Sequence, residues 1–219
     1  PLEKVASLVN VEATRLAAAG QMDQAMDVLI DWLFFSRQMA DRQMFAESAW
    51  GIGQMVLTFE RIMDVAYVDF RSGKKALTVD QILAVVDRLR DQGGFLRMDR
   101  VKFPEGNRIA AEQTVAMVFD RSGPNSSFGQ TMARLASTQR PLRLFAEGAR
   151  WDQIASRHAS ASETRAELDK VCSDLSSRWP LDAFDPRNDS KTDLERMDRD
   201  QYAVLAAVIP PMNRLVFAR

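Results

Sequence analysis

Apolar residues recur every third or fourth position along almost the whole chain, which is the period of a helix rather than a strand. Leu2, Val5, Leu8, Val9, Ala13 and Leu16 mark a first helix, and Gly20 can end it in the left-handed conformation at no Cβ cost. A second helix is expected from about Met22 to Ala40. Its stripe of Met22, Ala25, Met26, Leu29 and Leu33 is joined by Val28, Ile30, Trp32, Phe34 and Phe35 on the other faces. A helix apolar nearly all round is central and buried. A third runs from about Gln43 to Phe70, with Phe45, Ala49, Ile52, Val56, Phe59, Met63 and Tyr67 as its main stripe. Gly51 and Gly53 each cost it about 1 kcal/mol of propensity, so a close neighbouring helix or a kink is expected there.

Ser72-Gly73-Lys74-Lys75 reads as a polar turn. Thr78 and Gln81 then have capping-box spacing ahead of a stripe of Val79, Ile82, Leu83, Val86 and Leu89, which Gly93-Gly94 ends. Phe95–Phe103 reads equally as a short extended piece or a turn. Pro104 opens a helix through Ile109, Val115 and Phe119. Ser122–Ser127 is a loop. Short helices follow around 128–137, 141–146 and 151–156, and Ser160 with Glu163 caps one that runs to about Arg178. Trp179-Pro180 breaks it, and Leu181–Lys191 reads as a long solvated loop of mixed charge. A last helix starts near Asp193 or Asp198, passes Tyr202, Leu205 and Val208, and is kinked or interrupted by Pro210-Pro211. The expected fold is therefore all-α: an antiparallel array of about eight to ten helices with a buried central hairpin. It forms one domain over residues 1–219, with 122–127 as the place where it would divide.

The opening residues also carry a resemblance. Leu16–Leu29, followed by Ser36-Arg37-Gln38-Met39-Ala40, resembles the start of an uncharacterised bacterial family of helical proteins. Gly20, Asp23, Ala25, Leu29 and Arg37 are the matching positions, with Gln38 where the family carries His. The long third helix, the Leu77–Ile82 helix start and Trp179-Pro180-Leu181 follow in the same order. The resemblance implies an extracytoplasmic domain, in the periplasm or cell envelope, behind a membrane anchor outside this chain; it implies no reaction. Pro1 in place of Met, and an apolar pattern still running at Arg214–Arg219, fit a chain cut from a longer one. Residues 4–39 also resemble a tetratricopeptide helix pair, although the motif does not recur at the 34-residue period of such repeats.

Composition then limits the chemistry. Lys plus Arg is 29 and Asp plus Glu 30, so no basic excess is available to neutralise phosphates, and nucleic acid is not an expected partner. One His and one Cys exclude an internal disulfide and any site of several His or Cys ligands; no cofactor is expected. Asp27 with Asp31, and Glu60 with Asp64, are spaced four apart on the second and third helices and would converge in a hairpin. Without a Glu-x-x-His pair they do not make a di-iron site. The plainer expectation is a polar pairing among Asp31, Arg37, Glu60 and Asp64, with Asp31 held by an Arg such as Arg37, Arg42 or Arg61.

His158 is expected as a cation at a helix C-terminus, and Cys172 as a small buried hydrophobe. Asp185, Asn188, Asp189 and Asp193 lack calcium-loop spacing. Arg97, Arg100, Lys102 and Arg108 form the one basic cluster, a weak anion contact. Asn125-Ser126-Ser127 matches the glycosylation sequon. The expected function is a non-enzymatic binding or scaffold domain for a protein or cell-envelope component. The alternative is a hydrolase working on a glycan or envelope substrate with carboxylates alone, which needs a concave pocket holding two of them.

Overall fold

In the computed structural model the described residues are 2–73, 76–90, 93–120, 128–137, 144–181 and 184–209, and among them the regular structure is entirely helical. Ten α-helices and two 3-10 turns follow one another among the described residues, as the helical periodicity leads one to expect. The chain divides into two compact units, Pro1–Arg42 with Ala46–Lys102, and Gln43–Phe45 with Phe103–Arg219. The subdivision expected at 122–127 falls on residues outside the described set.

The first unit is built on α1 (Leu2–Ala18), α2 (Met22–Ala40), α3 (Phe45–Ser72, from Ala46 onward) and α4 (Val79–Arg90). Gly20, at φ 79°, turns the chain from α1 into α2. As its pattern demands, α2 is the buried element: Ala25, Leu29, Ile30, Leu33, Ser36 and Ala40 are all sealed from solvent. It meets α3 at very short range. A Cβ on Gly51 would fall on the Ala40 amide and lie 2.7 Å from the Ser36 carbonyl oxygen, so only glycine allows the crossing. The Ser48 hydroxyl donates to the Ala40 carbonyl at 2.8 Å beside it. Gly53, by contrast, faces open space.

The outward faces differ from expectation. The interior side of α3 carries Ser48, Ile52, Met55, Thr58, Ile62 and Asp69, while Val56, Phe59, Met63 and Tyr67 of the expected stripe face solvent. Small and hydroxylated residues suit the tight crossing, and their polar atoms are satisfied locally: Thr58 donates to the Gln54 carbonyl at 2.6 Å. Asp69 accepts the Ala76 and Leu77 amides at 2.9 and 3.0 Å. On α4 the expected stripe is likewise outward at Val79, Ile82 and Leu83. The Thr78–Gln81 box forms as read, and Gly93 and Gly94 take positive φ after α4. The ambiguous 95–103 stretch is mixed: Phe95 and Leu96 are turn, Met98–Arg100 a 3-10 turn, and Arg97 and Val101 on either side have extended backbone.

In the second unit α5 (Gly106–Asp120) packs against α6 (Phe128–Ser137), α8 (Ala161–Arg178) and α10 (Ala203–Val208). Ala111 and Val115 of α5, Met132 of α6, Leu168, Val171 and Leu175 of α8, and Val204 and Leu205 of α10 form its core. The helix begins two residues after Pro104, with the Gly106 amide bonded to the Gln43 carbonyl at 2.8 Å. Where two short helices were expected, α7 (Leu144–Ala155) is a single helix, and residues 141–143 lie outside the described set. The reciprocal Ser160–Glu163 box opens α8 as read. The last expected helix is two, α9 (Asp193–Arg196) and α10, because Met197 leaves the helix with ψ 131°. Pro210, Pro211 and everything after them lie outside the described residues.

Candidate functional site

The polar group expected on α2 and α3 is not assembled. Positions 31 and 37 are six residues apart, which turns them about 120° away from each other around a helix. Asp31 is largely exposed and pairs with Arg88 of α4 at 3.3 Å, and the other arm of Arg88 meets Asp27 at 2.5 Å. Arg37 is only 2% exposed and reaches Asp41, one turn on, at 2.6 Å. That contact is an ion pair without hydrogen-bond alignment; Nε and Nη1 make no hydrogen bond among the described residues. The guanidinium instead lies over the Phe95 ring, 5.1 Å from its centre, and Phe95 stacks on Phe34. Arg37 thus fastens the turn after α4 onto α2. Glu60 is exposed, and Asp64 approaches Arg61 at 3.5 Å.

The basic cluster is divided between the units and largely spent. Arg97 grips Asp99 at 3.0 and 2.6 Å, and Arg100 donates to the Gly93 carbonyl. Lys102 is exposed. Arg108 in the second unit is shared by Glu112 at 3.0 Å and Asp169 at 3.1 Å. Among the described residues the carboxylates whose pKa is displaced, Glu12, Asp99, Glu163 and Asp185, all move down, held by hydrogen bonds from Arg15, Arg97, Ser160 and Arg187 respectively. This is the opposite of what a general acid requires. Asp27 and Asp64 open into different depressions.

His158 is not the cation that its place near a helix end suggests. An amide can only donate, so the Val204 N–H at 3.1 Å needs a bare Nε2; the Ala159 carbonyl at 2.8 Å then takes the Nδ1 proton. The ring is neutral, caps the start of α10, and lies against Phe119 and Phe128. Burial lowers its pKa from 6.5. Cys172 is buried as expected, which pushes its thiol up to about 11 and keeps it protonated and unreactive at neutral pH.

The loop after α8 is largely solvated as expected, with Phe184, Pro186, Arg187, Asp189, Ser190 and Lys191 exposed, but it is also pinned. Arg178 donates to Asp174 at 2.8 Å, to the carbonyls of Arg187 at 2.5 Å and Ser190 at 3.1 Å, and to the Ser190 hydroxyl at 3.0 Å. Asn188 is buried in the 3-10 turn Pro186–Asp189. Among the described residues no group of three or more His, Cys, Asp or Glu could hold a metal ion, and no helix is long and apolar enough to cross a membrane.

What remains is a groove in the first unit, of about 290 Å³. Ala13, Ala17 and Ala18 of α1 form one wall, Val65 and Val68 of α3 the other, and Leu29 of α2 the floor. Asn10, Thr14, Arg61 and Asp64 supply its few polar groups. The alanines make it a groove, because they keep α1 low where leucines would fill the space. Sequence reading missed it: it needs α1 and α3, some fifty residues apart, side by side. A second depression, at the end of α7, is polar, lined by Arg150, Arg157 and Asp200 among others. No family model, no curated protein and no solved structure matches the chain.

Proposed function

We propose that this chain is a non-enzymatic binding or scaffold domain that holds a protein partner of the cell envelope by an apolar helix laid between α1 and α3. The observation that carries this reading is the groove: Ala13, Ala17, Ala18, Leu29, Val65 and Val68 give it an apolar lining, with Asn10, Thr14, Arg61 and Asp64 as its polar residues. A channel of this kind takes the apolar face of an amphipathic helix, whose anchors recur every third or fourth residue. Arg61 and Asp64, which line the groove and are exposed, can orient the polar flank of such a helix. The placement outside the cytoplasm rests on the resemblance of the Leu16–Ala40 segment alone.

The test is a photo-crosslinking residue at Thr14 in the full protein, exposed to envelope extract. A discrete protein adduct is expected, abolished by Val68→Glu while the thermal melt is unchanged. An adduct indifferent to Val68→Glu, or no adduct, refutes the groove as the binding site.

A further inference from the structure

On α3 the outward face is ordered more closely than a general apolar surface needs. Val56, Phe59, Met63, Ala66 and Phe70 are spaced three, four, three and four apart, the seam of a two-helix coiled coil about 21 Å long. Met63 is 71% exposed and Phe70 75%, with Tyr67 beside them. The α1 groove opens on Val65 and Val68, on a different side of the same helix. With two helices antiparallel the seam pairs with its own reverse: Phe59 faces the partner's Phe70, and the long Met63 faces the partner's small Ala66. One edge of the seam carries Glu60 and Arg71, and neither forms an ion pair with another described residue. Under a two-fold axis the same edge meets itself, which brings Glu60 within reach of the partner's Arg71 and Arg71 within reach of the partner's Glu60. A parallel pair would set both charges against the other edge, where Ile62 and Asp69 are buried inside the unit.

We propose that the protein is a homodimer joined by antiparallel packing of α3 against α3 of a second copy through Val56–Phe70. The dimer goes beyond the groove reading and does not depend on it.

Sedimentation equilibrium of the whole chain tests it. A dimer is expected, and Met63→Glu, which places a charge in the seam at a solvent-exposed position, should weaken it by about 100-fold or more without lowering the melting temperature of the monomer. Glu60→Arg and Arg71→Glu should each weaken association, and the double exchange should restore it. Orientation is read by mixing Met63→Cys with Ala66→Cys chains: oxidation should give the mixed crosslink in preference to either self-crosslink. A monomer at all concentrations, a dimer indifferent to Met63→Glu, or preferred Met63→Cys self-crosslinking would each overturn the proposal. Loss of the dimer with the Thr14 adduct intact would sink this inference and leave the groove standing.

Discussion

The imidazole of His158 accepts the backbone amide of Val204, 46 residues further on, at 3.1 Å and so holds the first turn of α10. A protonated ring has no lone pair for that amide. The neutral form is therefore the one the fold requires, and burial against Phe119 and Phe128 works in the same direction.

The sign of the pH dependence follows. The unfolded chain takes up the proton near pH 6.5 and the folded one only below it, so the contribution is complete above about pH 6.5 and is lost as the pH falls towards the lowered folded value. The displaced carboxylates titrate below this window, and His158 is the sole histidine. Thermal melts between pH 5 and 8 should show a melting temperature rising with pH through 5–6.5, and His158→Ala should remove that slope while costing about 2 kcal/mol at pH 7.5. A slope unchanged in the variant contradicts the neutral-cap assignment.

Gly51 and Gly53 give a matched pair. Gly51→Ala forces a methyl into the Ala40 and Ser36 backbone and should destabilise by about 2–4 kcal/mol, since backbone, not a flexible side chain, must give way. Gly53→Ala meets no atom within 4 Å and should stabilise by about 0.5–1 kcal/mol through helix propensity. Urea unfolding of both variants decides it; equal effects would place the crossing elsewhere.

Arg178 makes four contacts that a lysine cannot reproduce in that planar geometry. Arg178→Lys should release the Pro186–Ser190 turn, raising amide exchange there at least about tenfold while the α5–α8 core keeps its protection. Exchange unchanged over 186–190 would mean that the turn is held by something else.

What the sequence made legible was local. The capping boxes at Thr78 and Ser160, the left-handed turn at Gly20, the helix end at Gly93-Gly94, and the all-round apolar α2 depend on residues within a few positions of one another, and each is present. Periodicity located α3 and α4 but assigned the wrong face to much of each. Burial goes to whichever side meets a neighbour closely, and on α3 that side carries Ser48, Gly51 and Thr58 so that backbones can approach. The candidate groove, the charge state of His158 and the pinned 186–190 turn all rest on partners far along the chain, such as Leu29 with Val65 or Arg178 with Ser190, and no window of neighbouring residues contains them.

The backbone contact at Gly51 also acts as a fulcrum. Val65 stands fourteen residues along the same helix, a lever arm of about 21 Å. A tilt of about 5° where α3 touches Ala40 would swing that wall by about 2 Å over this length. The width of the channel is thus governed from its far end, by a residue whose position admits no side chain.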